Sequence, residues 1–139
     1  MATSPSPASA SAPASGVARA HRALALLFLA VAGLVQFFLA GLAAFGHGDW
    51  DVHTAIGSLL TLVALVVLVL AFVGRREALQ ASVVLFVLMI VQSILGAAGE
   101  DVSVLGALHP VNGLLILGAA MLAAAGRPVR TAHGRSPRT

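Results

Sequence analysis

Cysteine is absent from the 139 residues, which excludes disulfides, thiolate metal sites and covalent attachment of a c-type haem. Charge is scarce too. Only 9% of the chain is Asp, Glu, Lys or Arg, whereas a soluble domain carries about 25% to keep its surface wetted. Eight basic and five acidic side chains cannot coat a globule of this length. No catalytic motif stands out. What is present is hydrocarbon: 59% of the residues are hydrophobic and the mean hydropathy is +1.00. The solvent for most of this chain is expected to be lipid.

The hydrophobic residues fall into four blocks, residues 23–45, 52–73, 78–98 and 105–125. Each is 21 to 23 residues long, and at about 1.5 Å rise per residue a helix of that length crosses a hydrocarbon core of roughly 30 Å. Helices are the expected form, since an open strand would leave backbone groups unpaired in lipid. The connecting loops are short, so consecutive helices are antiparallel neighbours. The fold class that follows is all-α, a four-helix transmembrane bundle over residues 21–126. Residues 1–20 begin with a stretch of Met, Ala, Thr, Ser, Pro and Gly that has little to bury and reads as a disordered tail. Residues 127–139 read as a basic tail.

Arginine sets the orientation. All eight basic residues are arginines, and all lie on one side: Arg19 and Arg22 before the first span, Arg75 and Arg76 in the middle loop, and Arg127, Arg130, Arg135 and Arg138 at the end. The positive-inside rule makes that side, with both termini, cytoplasmic and places the chain in the inner (plasma) membrane. Four of the five acids, Asp49, Asp51, Glu100 and Asp101, face the opposite way. The sequence pI of 11.5 is therefore a topology signal rather than a mark of nucleic-acid binding. The first apolar block exceeds the roughly 7–15 residues of a secretory h-region, so it reads as an uncleaved helix. His21 and His133, in the cytoplasmic flanks, read as surface residues.

An offset of 56 residues aligns the two halves without a gap. Val35-Gln36-x-x-Leu39 falls on Val91-Gln92-x-x-Leu95, and His53-x-x-x-Gly57-x-Leu59 falls on His109-x-x-x-Gly113-x-Leu115. Apolar coincidences are cheap in such a chain; matched His and Gln are not. The bundle is thus expected to be two repeated helical hairpins, related by a pseudo-two-fold axis along the membrane normal. That axis would pass between His53 and His109 near the outer face.

A single interfacial His is ordinarily an amphipathic ring at the headgroup level. Two related by symmetry say more, because imidazole is the commonest metal ligand and polar groups within a membrane tend to mark function. Gly57 and Gly113 lie one turn deeper on the same faces. Gln36 continues to Ala40 and Ala43, and Gln92 to Gly96 and Gly99, so small residues line the outer half. A planar macrocycle needs such missing side-chain volume, and haem iron accepts His from both sides. The expectation is one haem b, with His53 and His109 as axial ligands and Gly57, Gly113, Gln36 and Gln92 around it. Pro110 places His109 at a helix boundary, where proline is tolerated in the first turn. For Gln36 and Gln92, an interhelical hydrogen bond of about 1 kcal/mol is the ordinary role.

Val91–Leu95 followed by a short loop and Leu108-His109 resembles one half of a haem A synthase. From Arg22 to Arg127 the chain also resembles uncharacterised small four-helix bacterial membrane proteins, through Phe38–Leu42, Asp51–Gly57 and Leu108–Gly113. The resemblance implies axial roles for His53 and His109. In the synthases a Glu lies three residues before the ligand His and an Arg follows it. Trp50 and Thr54 stand there instead, so haem oxidation does not carry over. Nor do the outer loops supply a cation for haem propionates; His47, Trp50, Asn112, backbone N–H groups or water would have to serve.

The function expected is bis-His haem b binding near the outer face with one-electron exchange to a quinol or an external redox partner. A homodimer would imitate the two-half synthase. The rival is a non-enzymatic structural or divalent-metal-binding membrane protein without haem. His47, Asp49, Asp51 and His53, with Glu100, Asp101 and His109, offer imidazole and carboxylate donors that suit Zn²⁺ or another first-row ion.

Overall fold

Ser15 opens the first helix. Its hydroxyl accepts a hydrogen bond from the Ala18 N–H at 3.2 Å, satisfying one of the donors that every helix start leaves unpaired. The helix that follows, α1, spans Gly16–Ala44. In this computed structural model, which describes residues 15–99 and 101–127, α2 covers Trp50–Gly74, α3 Leu79–Ala98 and α4 Ser103–Ala125. A 3-10 turn, Arg76–Ala78, leads into α3. All four helices are long and apolar enough to cross a membrane, and no strand occurs among the described residues. The protein is an all-α multi-pass bundle in which α1 packs on α2 and α4, and α3 packs on α2 and α4.

One boundary differs from expectation in substance. Residues 16–20, expected in a disordered tail, form the first turns of α1. Ala18, Arg19 and Ala20 are good helix formers once a cap is in place, and Val17 packs onto the end of α2. A Cβ added at Gly74 would lie 2.7 Å from the Val17 Cγ1, so the glycine admits this close approach. Residues 1–14 and 128–139, which hold most of the expected Pro/Ala/Ser-rich and basic tails, lie outside the described residues.

The core is a seam of small and medium side chains at helical spacing. Ala25, Phe28 and Ala32 on α1 face Leu60, Ala64 and Val67 on α2, with Leu85 and Met89 on α3 and Ile116, Ala119 and Ala120 on α4. Alanine lets helices approach closely, so van der Waals contact can hold them where lipid removes the hydrophobic drive. The opposite faces carry large apolar side chains such as Leu62 and Leu114, both more than half exposed. Such a surface needs hydrocarbon around it.

Two irregularities shape the acidic end. Between Val31 and Gln36, α1 winds as a π-helix, a widening that shifts the phase of every side chain beyond it. Backbone packing of α1 on α4 is concentrated before this segment, and no residue of Phe37–Ala44 beyond it is buried. The α3–α4 pair differs. There a Cβ at Gly99 would lie 2.7 Å from the Gly106 Cα, so the two backbones nearly touch. Pro110, expected in a first turn, is instead the eighth residue of α4. It has no N–H to give to the Gly106 carbonyl, and α4 continues through it from a start at Ser103.

Candidate functional site

Asp49 fixes where α2 begins. Its Oδ1 accepts from the Asp51 N–H at 2.8 Å, an N-cap that starts the helix at Trp50 and puts His53 at the end of the first turn. The Trp50 ring meets His53 edge-on, with centroids 5.7 Å apart. His109, two turns into α4, rests on α3: a Cβ at Gly96 would lie 3.4 Å from the His109 Cε1 and Nδ1. An alanine at position 96 would just touch the ring, and a longer side chain would press on it.

These placements bring His53 and His109 together. Their ring centroids are 6.0 Å apart and their planes inclined at 54°. Both Nδ1 atoms are buried with no hydrogen-bond partner, and so is the Gln36 Oε1. Buried polar atoms without partners are uncommon and costly, and three at one end of a small bundle point to a site rather than to packing.

The two glutamines make interhelical bonds, each within its own hairpin. Gln36 Nε2 donates to the His53 carbonyl at 3.1 Å. Gln92 Oε1 accepts from Asn112 Nδ2 at 2.7 Å, and the same Asn112 amide donates to the Leu88 carbonyl at 3.0 Å. A Cβ at Gly57 would meet Gln36 Nε2 at 3.0 Å; one at Gly113 would meet Phe37 Cζ at 3.4 Å and Gln92 Nε2 at 3.7 Å. The glycines therefore seat the glutamine amides and the Phe37 ring, which occupy the space expected to stay clear beside the histidines.

Asn112 is the residue whose weight the sequence did not convey. It is buried, ties α3 to α4, and fixes which end of the Gln92 amide is free. Its signal was available: the 56-residue offset puts Ile56 opposite it, marking Asn112 as the polar member of an otherwise apolar pair. That substitution also explains the unpaired Gln36 Oε1, which has no asparagine to receive from.

The acidic loops contribute less than their composition promised. Among the described residues, no group of three or more His, Asp or Glu is placed to hold a metal ion. His47, Asp49 and Asp51 thus do not assemble a cage with His53 and His109; Glu100 lies outside the described residues. His47 is exposed and closes one end of an open groove of about 460 Å³ on α1, lined otherwise by Phe37, Phe38, Gly41, Leu42 and Phe45.

The opposite end holds a correction. His21, expected on the surface, is fully buried. Arg75 Nη1 donates to its Nδ1 at 3.1 Å, and its Nε2 lies 3.1 Å from Ser82 Oγ. Ser82 spends its own proton on the Ala78 carbonyl at 3.0 Å. These directions are compatible only with a neutral ring protonated on Nε2. Arg75 also donates from Nη2 to the Ala124 carbonyl at 3.1 Å and from Nε to Glu77 Oε1 at 3.2 Å. One guanidinium thereby joins α1, the α2–α3 turn and the end of α4. His133 lies outside the described residues.

Fold and site define a four-helix membrane protein with a polar cluster buried near one end. A family of unknown function, DUF6220, matches residues 36–98, a stretch that includes Gln36, His53, Gly57 and Gln92 but ends before His109 and Gly113. No curated protein and no solved structure matches the chain, so the likeness to half of a haem A synthase rests on the short motifs alone.

Proposed function

We propose that the chain is a haem b-binding protein of the bacterial inner membrane, with both termini cytoplasmic and with His53 and His109 as axial ligands near the outer face. The observation that carries the proposal is the paired rings, 6.0 Å apart, each with a buried and unpartnered Nδ1. Two imidazoles on opposite sides of one metal, at a metal–nitrogen distance of about 2.0 Å, would have ring centroids about 6 Å apart; on adjacent sides they would stand closer. The 56-residue offset between the histidines, and the seating of each glutamine against the glycine of its own hairpin, support a duplicated hairpin with the site on its axis.

Gln36, Gln92 and Phe37, which fill the space beside Gly57 and Gly113, are the side chains that would have to draw back for the group to enter, and they would then border it. Haem iron with two His ligands exchanges single electrons and leaves no open coordination position for a substrate. His53 and His109 are half-buried as residues, and their buried Nδ1 edges are the part of the site that would be shielded from water. A quinol or an external redox protein is the partner class suited to exchange at that end, and no step of oxidative chemistry is assigned. A homodimer would place two such sites in one assembly.

Gln36 Oε1 favours a second reading. A buried amide oxygen without a donor, on the side chain whose Nε2 reaches the His53 carbonyl, would complete with the two imidazoles an N₂O set that suits a divalent first-row ion in place of haem. One preparation separates the two. The protein purified in detergent from haem-replete cells should show a low-spin Soret band, with split α/β bands on addition of dithionite. Both should vanish in His53→Ala and in His109→Ala. A colourless protein ends the haem proposal, and stoichiometric metal in that colourless sample selects the second.

A further inference from the structure

At the arginine-bearing end, a groove of about 220 Å³ runs between α1 and α4, lined by Arg22, Leu26, Leu29, Met121, Ala124 and Ala125. Its three α1 residues recur at i, i+4 and i+7, one face of the helix. At about 1.5 Å per residue, the guanidinium is rooted roughly 10 Å along the axis from the deepest leucine. Ala124 and Ala125 leave the volume open, while Leu26 and Met121, 46% and 58% exposed, form sides that face outward to lipid. The groove is charged at its mouth and apolar along its length.

Arg22 stands apart from its neighbours. Arg75 is spent on His21, Ala124 and Glu77, and Arg76 stacks on Phe72 at 4.5 Å. The Arg22 side chain has neither an ion pair nor a hydrogen bond among the described residues. Glu77, the one described acid at this end, is already paired with Arg75. No described protein anion is left for Arg22.

We propose that this groove binds one anionic phospholipid, its phosphate on Arg22 and an acyl chain along Leu26, Leu29 and Met121. The charge pattern selects that occupant. Basic clefts between transmembrane helices at a cytoplasmic interface are suited to anionic headgroups, and a guanidinium receives phosphate oxygens in a two-pronged bond. A free anion would leave the leucines uncovered. A second copy in the same orientation would bring arginine against arginine. The proposal is independent of haem and of the histidine pair.

Native mass spectrometry of the full chain in detergent tests it, titrated with phosphatidylglycerol and with phosphatidylcholine of identical acyl chains. One phosphatidylglycerol per chain should be retained about five-fold better than phosphatidylcholine, the preference set by one arginine at a membrane surface. Arg22→Gln should abolish the preference. So should Ala125→Phe, which keeps the charge but fills the groove. Arg76→Gln should leave it intact. Helical circular dichroism should be unchanged in all three variants. Equal retention of the two lipids overturns the proposal. So does an equal fall in Arg22→Gln and Arg76→Gln, or a preference that survives Ala125→Phe, since either would mean diffuse surface charge. A dimer mass in place of the lipid adduct overturns it as well.

Discussion

At the arginine-bearing end, His21 has a partner for each ring nitrogen: Arg75 gives to Nδ1, and Ser82 lies within hydrogen-bond distance of Nε2. At the acidic end, His53 and His109 face each other at 6.0 Å, each with a buried Nδ1 that nothing in the described protein satisfies. The same side chain is used in opposite ways within one small bundle. A satisfied polar network ties helices together, because breaking it would leave donors and acceptors buried. An unsatisfied pair costs stability in the protein alone and returns it when a ligand arrives. Paired with its neighbours, histidine is a structural tie; unpaired and facing another, it is left open to a ligand.

The largest effect expected follows directly. On the proposed haem site, His53→Ala or His109→Ala should remove the Soret absorbance altogether, while His21→Ala should keep the spectrum and lower thermal stability instead. The measurement is the Soret absorbance per chain alongside a melting curve for each variant. If His21→Ala also bleached the protein, the two ends would not be separable in function, and histidine would not play opposite parts in them.

Next comes the tie itself. Arg75→Ala strips a partner from His21, from the Ala124 carbonyl and from Glu77. Hydrogen bonds to charged groups are worth roughly 1.5–3 kcal/mol each, net of exchange with water. The Arg75 side chain is 11% exposed but Glu77 is 61% exposed, so the bond to Glu77 counts for little, and a loss of about 3 kcal/mol or more is expected from the other two. Arg75→Lys should restore little, since a single ammonium cannot span three partners on different helices. Recovery of full stability in the lysine variant, by denaturant or thermal melts in detergent, would show that only the charge matters.

A third test separates the hairpins. Gly99→Ala drives a Cβ to within 2.7 Å of the Gly106 Cα; the atom it meets is backbone, so α3 and α4 must part. Overpacking of this kind costs roughly 1–3 kcal/mol. The position related to it by the 56-residue offset is Ala43, which lies beyond the π-helical segment and is not buried. Ala43→Gly should therefore change stability by less than Gly99→Ala does. Equal effects in the two hairpins, read from melting temperatures, would mean that the close approach at Gly99 carries no special weight.

Much of this fold was legible. Four apolar blocks separated by short polar loops leave only helices as an option in lipid, and the offset of 56 residues singles out His53, His109, Gln36 and Gln92 by itself. What escaped had physical reasons. His21 sits beside Arg19 and Arg22, and neighbouring charge suggests a wetted face. Yet it continues the buried stripe of Ala25, Phe28 and Ala32 back by one turn, and that periodicity was the stronger signal. Its partners Arg75 and Ser82 are 54 and 61 residues away, beyond anything local pattern conveys. The π-helical segment is composed of ordinary helix residues, so only tertiary packing reveals it. Pro110 suggested a helix start because proline favours first turns, whereas α4 begins at Ser103 and carries the proline within it.

The smallest effect probes why one glutamine is satisfied and the other is not. Gln92 has Asn112 as donor; the related position beside Gln36 is Ile56, which packs against the core. Ile56→Asn should give Gln36 Oε1 the partner it lacks while sacrificing apolar contact, so its net effect on stability mixes two opposing changes. A double-mutant cycle with Gln36→Leu isolates the bond. Ile56→Asn should be less harmful with Gln36 present than in the Gln36→Leu background, by about 0.6 kcal/mol, the usual strength of such bonds between membrane helices. A coupling of zero would mean that the open oxygen at Gln36 is not positioned to receive from α2. It would then be free to face the histidine pair, which strengthens the case for a divalent ion held by His53, His109 and Gln36 together.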